Sequence, residues 1–405
     1  MRPRRSRQGF LSVAFGLLAT IVAGCAAGGF HLGDGVQEDA GMSGVAAARE
    51  EQTAQAYAQQ FEANTPMWND PLLETYLTEV TQRIVAVAKP RPFRYRIRVV
   101  KDPSVNAFTP GAGLVYVHAG LLARMENEAQ LTMILAHEIA HVTEGHVLKG
   151  SQAAQGIQLL AQVAAVAGAA TGILKGEALQ TVYGYVVNAA VNGHGRSQES
   201  EADVVGLDYL VKAGYDPREA PRTFERLLRE HGDPAPLQHF FYSDHPTNVA
   251  RIERTSQLVK TQYADQLVHR PLIVNTEEFA RRTRAVVIAV GRLDYAQKRF
   301  NTAAAMFEKA LRVTADDPVP SYYLAKIALE TSSGSDATDR AIAHVQNAIR
   351  ADATYAPAYR ELGLAYFRKG EGPKAIAALE RYLALDPRAK DAPQITTAIQ
   401  ELKRS

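Results

Sequence analysis

The chain is 405 residues long, 46% hydrophobic and 22% charged, with a formal net charge of +2. That length exceeds what one hydrophobic core usually organises, so two domains plus tails are expected. The composition is that of ordinary globular protein, and the near-neutral charge gives no electrostatic basis for a nucleic-acid partner.

Residues 1–24 read as a lipoprotein signal peptide: MRPRRSRQGF carries four arginines, and LSVAFGLLATIVAGC follows as an apolar run ending in small residues. Val22-Ala23-Gly24-Cys25 resembles a bacterial lipobox, where cleavage before the cysteine leaves Cys25 to carry lipid. It is the chain's single cysteine. A lone cysteine in an exported chain has no internal disulfide partner, which favours a chemical use for it; an uncleaved membrane anchor is the other reading. Residues 25–65, rich in Ala, Gly, Gln and Glu, read as a tether with a helix near 45–61.

A domain is expected over residues 66–262. Leu72, Leu73, Tyr76, Leu77, Val80, Ile84 and Val87 recur at helical spacing, and Lys89-Pro90-Arg91-Pro92 ends that helix. Residues 94–100 alternate Tyr95, Ile97 and Val99 against arginines, as a strand with one wet face does. VNAFTPGAGLVYV, residues 105–117, reads as two short strands about a Pro-Gly turn. A helix over residues 126 to about 149, started by Glu126 or Asn127, holds Leu131, Ile134, Leu135, Ile139 and Val142 on an apolar face. Residues 151–191 are weakly polar and full of Ala, Val and Gly. Gln158 and Gln162 inside their most apolar window favour a buried helix or helical hairpin over a membrane span. Helices follow at 196–212 and about 217–230, then the loop HGDPAPLQHFFYSDHPTN, then a helix from Val249.

From about Thr283 the texture changes to helical hairpins. Ala303, Ala341 and Ala375 stand 38 and 34 residues apart, and Phe307, Val345 and Leu379 keep the same offsets. Tyr359, Leu362, Gly363, Tyr366, Ala375, Leu379 and Pro387 occupy the positions at which tetratricopeptide repeats place large, small and terminating residues. Residues 284–405 therefore read as an α-solenoid. The extra SSGSDATD of the middle unit reads as a lengthened turn. The fold class expected for the whole chain is α+β, mostly α.

The chemistry concentrates in LAHEIAHVTEGH, residues 135–146. Positions four apart on an α-helix differ by about 40° in azimuth, so His137 and His141 face the same way and both reach one ion. Glu138, beside the first of them, is placed to act as a base on a metal-activated water. This is the H-E-x-x-H pattern. A zinc peptidase also needs a third ligand, for which Glu199, Glu201, His146, His194 and His245 are candidates. His146 points away if the helix continues, about 180° from His137. Glu199 is preferred: Arg196, Glu199 and Asp203 share one face of the later helix, Glu201 is turned away from it, and Asp203 is placed to hold a ligand histidine by its other nitrogen.

HEIAH, the downstream RSQESEAD and the upstream VNAFTPGAGLVYVHAGLL together resemble the HtpX-like family of zinc metallopeptidases. With the lipoprotein-type signal and the repeats, the chain looks most like the BepA-type exported branch. The resemblance implies a zincin-like domain with a small sheet, one Zn2+ held by His137, His141 and Glu199, Glu138 as the base and Asp203 as an acid behind the ligands. SDHPTNVARI resembles the family's HPxxxxR motif and gives His245 and Arg251. His245 is then a candidate self-inhibitory fourth ligand, or else a cap of the following helix. Arg251 either steadies the developing oxyanion or pairs with a carboxylate such as Glu199 or Asp203. Residues 114–120, LVYVHAG, are expected as an edge strand beside the metal, where an extended substrate adds by main-chain hydrogen bonds, with residues 151–191 as its cover or a lid.

The resemblance further implies an endopeptidase of the periplasm, lipid-anchored at Cys25 to the outer membrane, since Ala26 is not the Asp associated with inner-membrane retention. Its substrates would be unfolded or misassembled envelope polypeptides, and its repeats would dock the outer-membrane assembly machinery. The alternative is a chaperone or assembly scaffold whose metal site is mostly closed.

Overall fold

In a computed structural model of the chain the described residues are 44–147, 196–230, 248–269, 271–332 and 334–404. The signal peptide, Cys25, residues 151–191, His194 and His245 lie outside them.

The helix expected near 45–61 runs Gly44–Asn64 (α1) and does more than tether. Its Glu50 Oε1 accepts the Ala112 N–H at 2.8 Å, and Glu62 Oε1 accepts the Tyr116 hydroxyl at 2.8 Å. Tyr57 and Phe61 meet the Phe108 ring edge-on, and Phe61 also meets Tyr116. The buried stripe of α1 includes Ala47, Ala54 and Ala58. Alanines add little to an apolar pattern, which is why the packing was not visible in it.

Helix α2 (Pro71–Val85) is capped by Asp70, whose Oδ1 accepts the N–H of Leu72 and Leu73 at 3.0 and 3.2 Å. Three strands follow, β1 (Arg96–Val100), β2 (Ala107–Gly111) and β3 (Leu114–His118), in the spatial order β1-β3-β2. β3 pairs parallel with β1 and antiparallel with β2. Two expectations are corrected here. The hairpin turns at Ala112-Gly113, with φ of +49° and +76°, rather than at Pro110-Gly111, which belong to β2. That pair has the positive φ values of a two-residue hairpin turn. The strand of residues 114–118 is also central, not an edge. Alternation along a strand fixes its faces but not its neighbours, and here the parallel partner β1 closes its far side. The outer edge of β1 carries a bridge from Met67 to Val100, and among the described residues no strand pairs with the outer edge of β2.

A short helix, α3 (Ala119–Arg124), leads to α4 (Glu128–Thr143), whose residues are all buried. Asn127 caps α4 by accepting the Gln130 N–H at 2.9 Å. The helix stops well before residue 149, because Gly145 takes φ +69°, a left-handed conformation that terminates helices. Against α4 pack α5 (Arg196–Lys212) and α6 (Glu219–Glu230), α7 (Asn248–Thr261) packs on both of these, and the short α8 (Gln266–His269) follows in the chain.

The remaining helices pair as hairpins: α9 (Thr276–Ala296) with α10 (Phe300–Val313), α11 (Pro318–Thr331) with α12 (Ser335–Ala351), and α13 (Ala356–Arg368) with α14 (Gly372–Leu385), closed by α15 (Ala392–Leu402). Ala303, Ala341, Ala375, Phe307, Val345 and Leu379 are all buried. At Gly363 a Cβ would stand 2.6 Å from the Leu379 side chain, so any larger residue there must displace Leu379. The SSGSDATD stretch is corrected from a lengthened turn to a lengthened helix: α12 opens at Ser335 and has 17 residues against 14 in α10 and α14. Asp336 sits in its first turn, where the helix dipole favours negative charge. One apolar core contains Leu77 of α2, Leu135 of α4, and Val286, Val290, Met306 and Ala310 of the first hairpin. Among the described residues no helix is long and apolar enough to cross a membrane.

Candidate metal centre

Helix α4 presents His137 and His141 one turn apart, with Nε2 atoms 3.1 Å from each other. Helix α5 brings Glu199 to both: Oε2 lies 3.3 Å from His137 Nε2, and Oε1 lies 3.3 Å from His141 Nε2. One ligand atom from each of the three lies within 4.8 Å of the other two, and all three residues are buried. The helices can approach this closely because α5 offers Gly206 to the backbone of α4, where a Cβ would stand 2.9 Å from His137 N.

Behind the first ring, His137 Nδ1 lies 3.0 Å from Asp203 Oδ1. Arg251 of α7 clamps that carboxylate, with Nε at 3.1 and 3.0 Å from its two oxygens and Nη2 at 2.5 Å. Of the two roles open to Arg251, the structure shows the carboxylate pair. The guanidinium lies on the Nδ1 side of His137, away from Nε2, and packs 4.0 Å from the Phe224 ring centroid. Around the second ring, His141 Nδ1 lies 2.9 Å from His146 Nδ1, and His146 Nε2 lies 3.1 Å from Glu201 Oε2. His146 was expected to point away on a continuing helix; the stop at Gly145 turns it back onto His141. The glycine between the two histidines was the signal for this, and a straight-helix reading passes over it. Glu201 stays outside the three-residue cluster.

The electrostatics suit a cation. Burial and Arg251 push the His137 imidazole down, yet its bonds to Asp203 and Glu199 overcome them and raise it to about 9. The same negative field that holds a proton there favours a metal ion. Asp203 is pushed up by burial but held down to about 2 by Arg251 and His137. Glu138, 4% exposed, is pushed up to about 7 by burial, against the pull of His137. Two neutral imidazole nitrogens and one carboxylate oxygen are a donor set that zinc accepts in catalytic sites.

Fold and cluster together have the layout of a metallopeptidase centre, with H-E-x-x-H on one buried helix and a carboxylate from a second. Residues 71–259 match Peptidase family M48. The HtpX-like resemblance is to the same family. The chain is 34% identical over 180 residues to the putative beta-barrel assembly-enhancing protease of Vibrio cholerae serotype O1, covering 44% of this chain and 37% of that protein. It is 30% identical over 228 residues to the beta-barrel assembly-enhancing protease of Escherichia coli (strain K12), covering 52% of this chain and 45% of that protein. The matched stretch thus spans less than half the length of either relative. Among solved structures the chain is similar to the Arabidopsis OM64 TPR domain, with 20% identity, a TM-score of 0.28, and coverage of 30% of this chain and 98% of that one.

Proposed function

We propose that the chain is a zinc-dependent endopeptidase of the bacterial envelope. The observation that carries this reading is the convergence of His137, His141 and Glu199 within 4.8 Å, with Glu138 next to the first ligand. Zinc bound by these three would supply Lewis acidity, polarising a peptide carbonyl and drawing the pKa of water toward neutrality. Glu138 takes the proton of the attacking water and passes it to the leaving amine. Asp203 accepts the Nδ1–H of His137, which would leave its Nε2 lone pair free to hold a zinc ion, and Arg251 holds Asp203 in place.

An extended polypeptide would add to the outer edge of β2, the strand packed on α4, rather than to the enclosed β3. Main-chain pairing of that kind selects unfolded or misassembled polypeptides. The helical hairpins would dock partners, among them the outer-membrane assembly machinery. Cys25 would carry the lipid anchor that keeps the enzyme in the periplasm at the outer membrane, and His245 would serve as a displaceable fourth ligand; both lie outside the described residues. The alternative, a scaffold with a largely closed metal site, draws on the burial of the centre: His137 is 3% and His141 1% exposed.

Metal analysis of the purified chain tests the reading. One zinc per chain is expected, lost in His137→Ala and in Glu199→Ala, while Glu138→Gln keeps the zinc and loses cleavage of casein. Zinc-free wild-type protein that still cleaves casein would overturn it.

A further inference from the structure

We propose that His146 and Glu201 form a hydrogen-bonded relay that fixes the ring of His141, which makes them positioning residues of the metal centre; the inference rests on the reading of His141 as a ligand. Its basis is a chain of two contacts, His141 Nδ1 to His146 Nδ1 at 2.9 Å and His146 Nε2 to Glu201 Oε2 at 3.1 Å.

The protons in this chain have one consistent arrangement. A ligand histidine that turns its Nε2 lone pair to the cation carries its hydrogen on Nδ1. His141 therefore donates from Nδ1, and His146 must accept at its own Nδ1. The hydrogen of His146 is then on Nε2, where Glu201 receives it. Had His146 adopted the other tautomer, two N–H groups would face each other across 2.9 Å. Glu201, as a carboxylate, only accepts, and so it sets the tautomer of His146 and through it that of His141.

Burial separates this relay from a surface coincidence. His146 is fully buried, whereas the Glu201 side chain is 49% exposed, so the relay runs from the cluster to the surface. The two ligand rings are held in different ways: His137 by a buried carboxylate clamped by Arg251, and His141 by an imidazole whose orientation depends on an exposed carboxylate. Helix α5 supplies all the acids involved, Glu199 to the cluster, Asp203 to His137 and Glu201 to His146. That gives a task to the one acid of the Glu-Ser-Glu-Ala-Asp stretch that faces away from the cluster.

The experiment measures zinc affinity of the full chain by chelator competition, together with nitrogen-15 imidazole spectra of the zinc-loaded protein. His146→Phe is expected to weaken zinc binding by about 10- to 100-fold, in line with the loss of an outer partner of a ligand. Glu201→Leu is expected to weaken it several-fold, and Glu201→Gln to restore wild-type affinity, because the amide oxygen still accepts from His146. The spectra are expected to show His146 protonated at Nε2 and not at Nδ1, and Glu201→Leu to mix the two tautomers. Should His146→Phe fail to fold, the surface substitution Glu201→Leu and the spectra carry the test. If His141→Ala loses zinc while Glu201→Leu keeps wild-type affinity and an unchanged His146 spectrum, the relay is wrong and the ligand reading stands. If His141→Ala binds zinc as tightly as wild type, the ligand reading itself fails and takes the relay with it.

Discussion

Gly206 of α5 lies against the backbone of His137, with room for a hydrogen and none for a methyl group: a Cβ would stand 2.9 Å from His137 N and 3.1 Å from Ala136 C. The neighbouring atoms are backbone of a buried helix and cannot swing aside. Gly206→Ala is expected to push α5 outward, cost about 1–3 kcal/mol by overpacking, and withdraw Glu199 from the two imidazoles. Denaturation curves and zinc content check both parts. A variant of wild-type stability with full zinc occupancy would show that the contact does not set the ligand spacing.

Glu138→Gln is expected to lower cleavage by about 100- to 10,000-fold, the usual contribution of a positioned acid–base group. It also has a signature in the metal-free protein. Burial raises the folded-state pKa of Glu138 from 4.5 to about 7, so the folded chain binds the proton more tightly than the unfolded chain does. Stability is therefore lost as pH rises from 4.5 through 7 and stays lower above that. Glu138→Gln is expected to remove this loss, leaving the metal-free variant more stable than wild type by up to about 3 kcal/mol in mildly alkaline buffer and no more stable near the unfolded pKa. Urea titrations at several pH values measure it.

Asp203 and Arg251 form a buried pair with both carboxylate oxygens engaged. Arg251→Met is expected to cost about 3–5 kcal/mol, because it strands a buried carboxylate. The double variant Arg251→Met with Asp203→Leu is expected to lose clearly less than the sum of the two singles. Additivity within about 0.5 kcal/mol would mean that the two do not act as a unit. Asp203 is held at about 2 against 3.8 when unfolded, so its contribution is complete above pH 3.8 and fades as pH falls toward 2.

Much of this centre was legible in the letters, for a geometric reason. Two ligands at i and i+4 and an acid pair at i and i+4 on a second helix are local patterns, and helices preserve local patterns. What escaped depends on non-local events or on single breaks. The place of β3 between β1 and β2 follows from a parallel crossover that alternation does not encode. The return of His146 follows from one residue, Gly145, in a left-handed conformation. The packing of α1 rests largely on alanines and on an aromatic cluster whose members come from three separate segments. In the repeats the reverse held: small residues at a fixed period announce close helix pairing wherever the hairpins sit.

Lys309 of α10 reaches across to the segment that leads into α4, donating to the carbonyls of Ala123 and Met125, with Glu126 at 3.6 Å. Burial pushes its ammonium down to about 8 from 10.5. The folded chain thus releases this proton before the unfolded chain does, and stability is expected to rise as pH increases from about 8 toward 10.5. Lys309→Met is expected to abolish that rise and, below it, to cost about 1–3 kcal/mol for two carbonyls left without their donor. Thermal unfolding across that pH range decides it; an identical pH profile in the variant would assign the slope elsewhere.

Val286, Val290, Met306 and Ala310 share a core with the H-E-x-x-H helix, whereas Ala303 and Phe307 on the same hairpin face the next one. The first hairpin is therefore core to both neighbours, and a cut before it removes part of the wall around the H-E-x-x-H helix. The natural place to divide the molecule is the short connection between α10 and α11, after Val313 and before Pro318. A chain ended there would bare the Phe307 face, which normally packs against Leu324 and Ile327 of α11. The downstream hairpins, each leaning mainly on its neighbours, can be lengthened, shortened or exchanged without the metal centre registering the change.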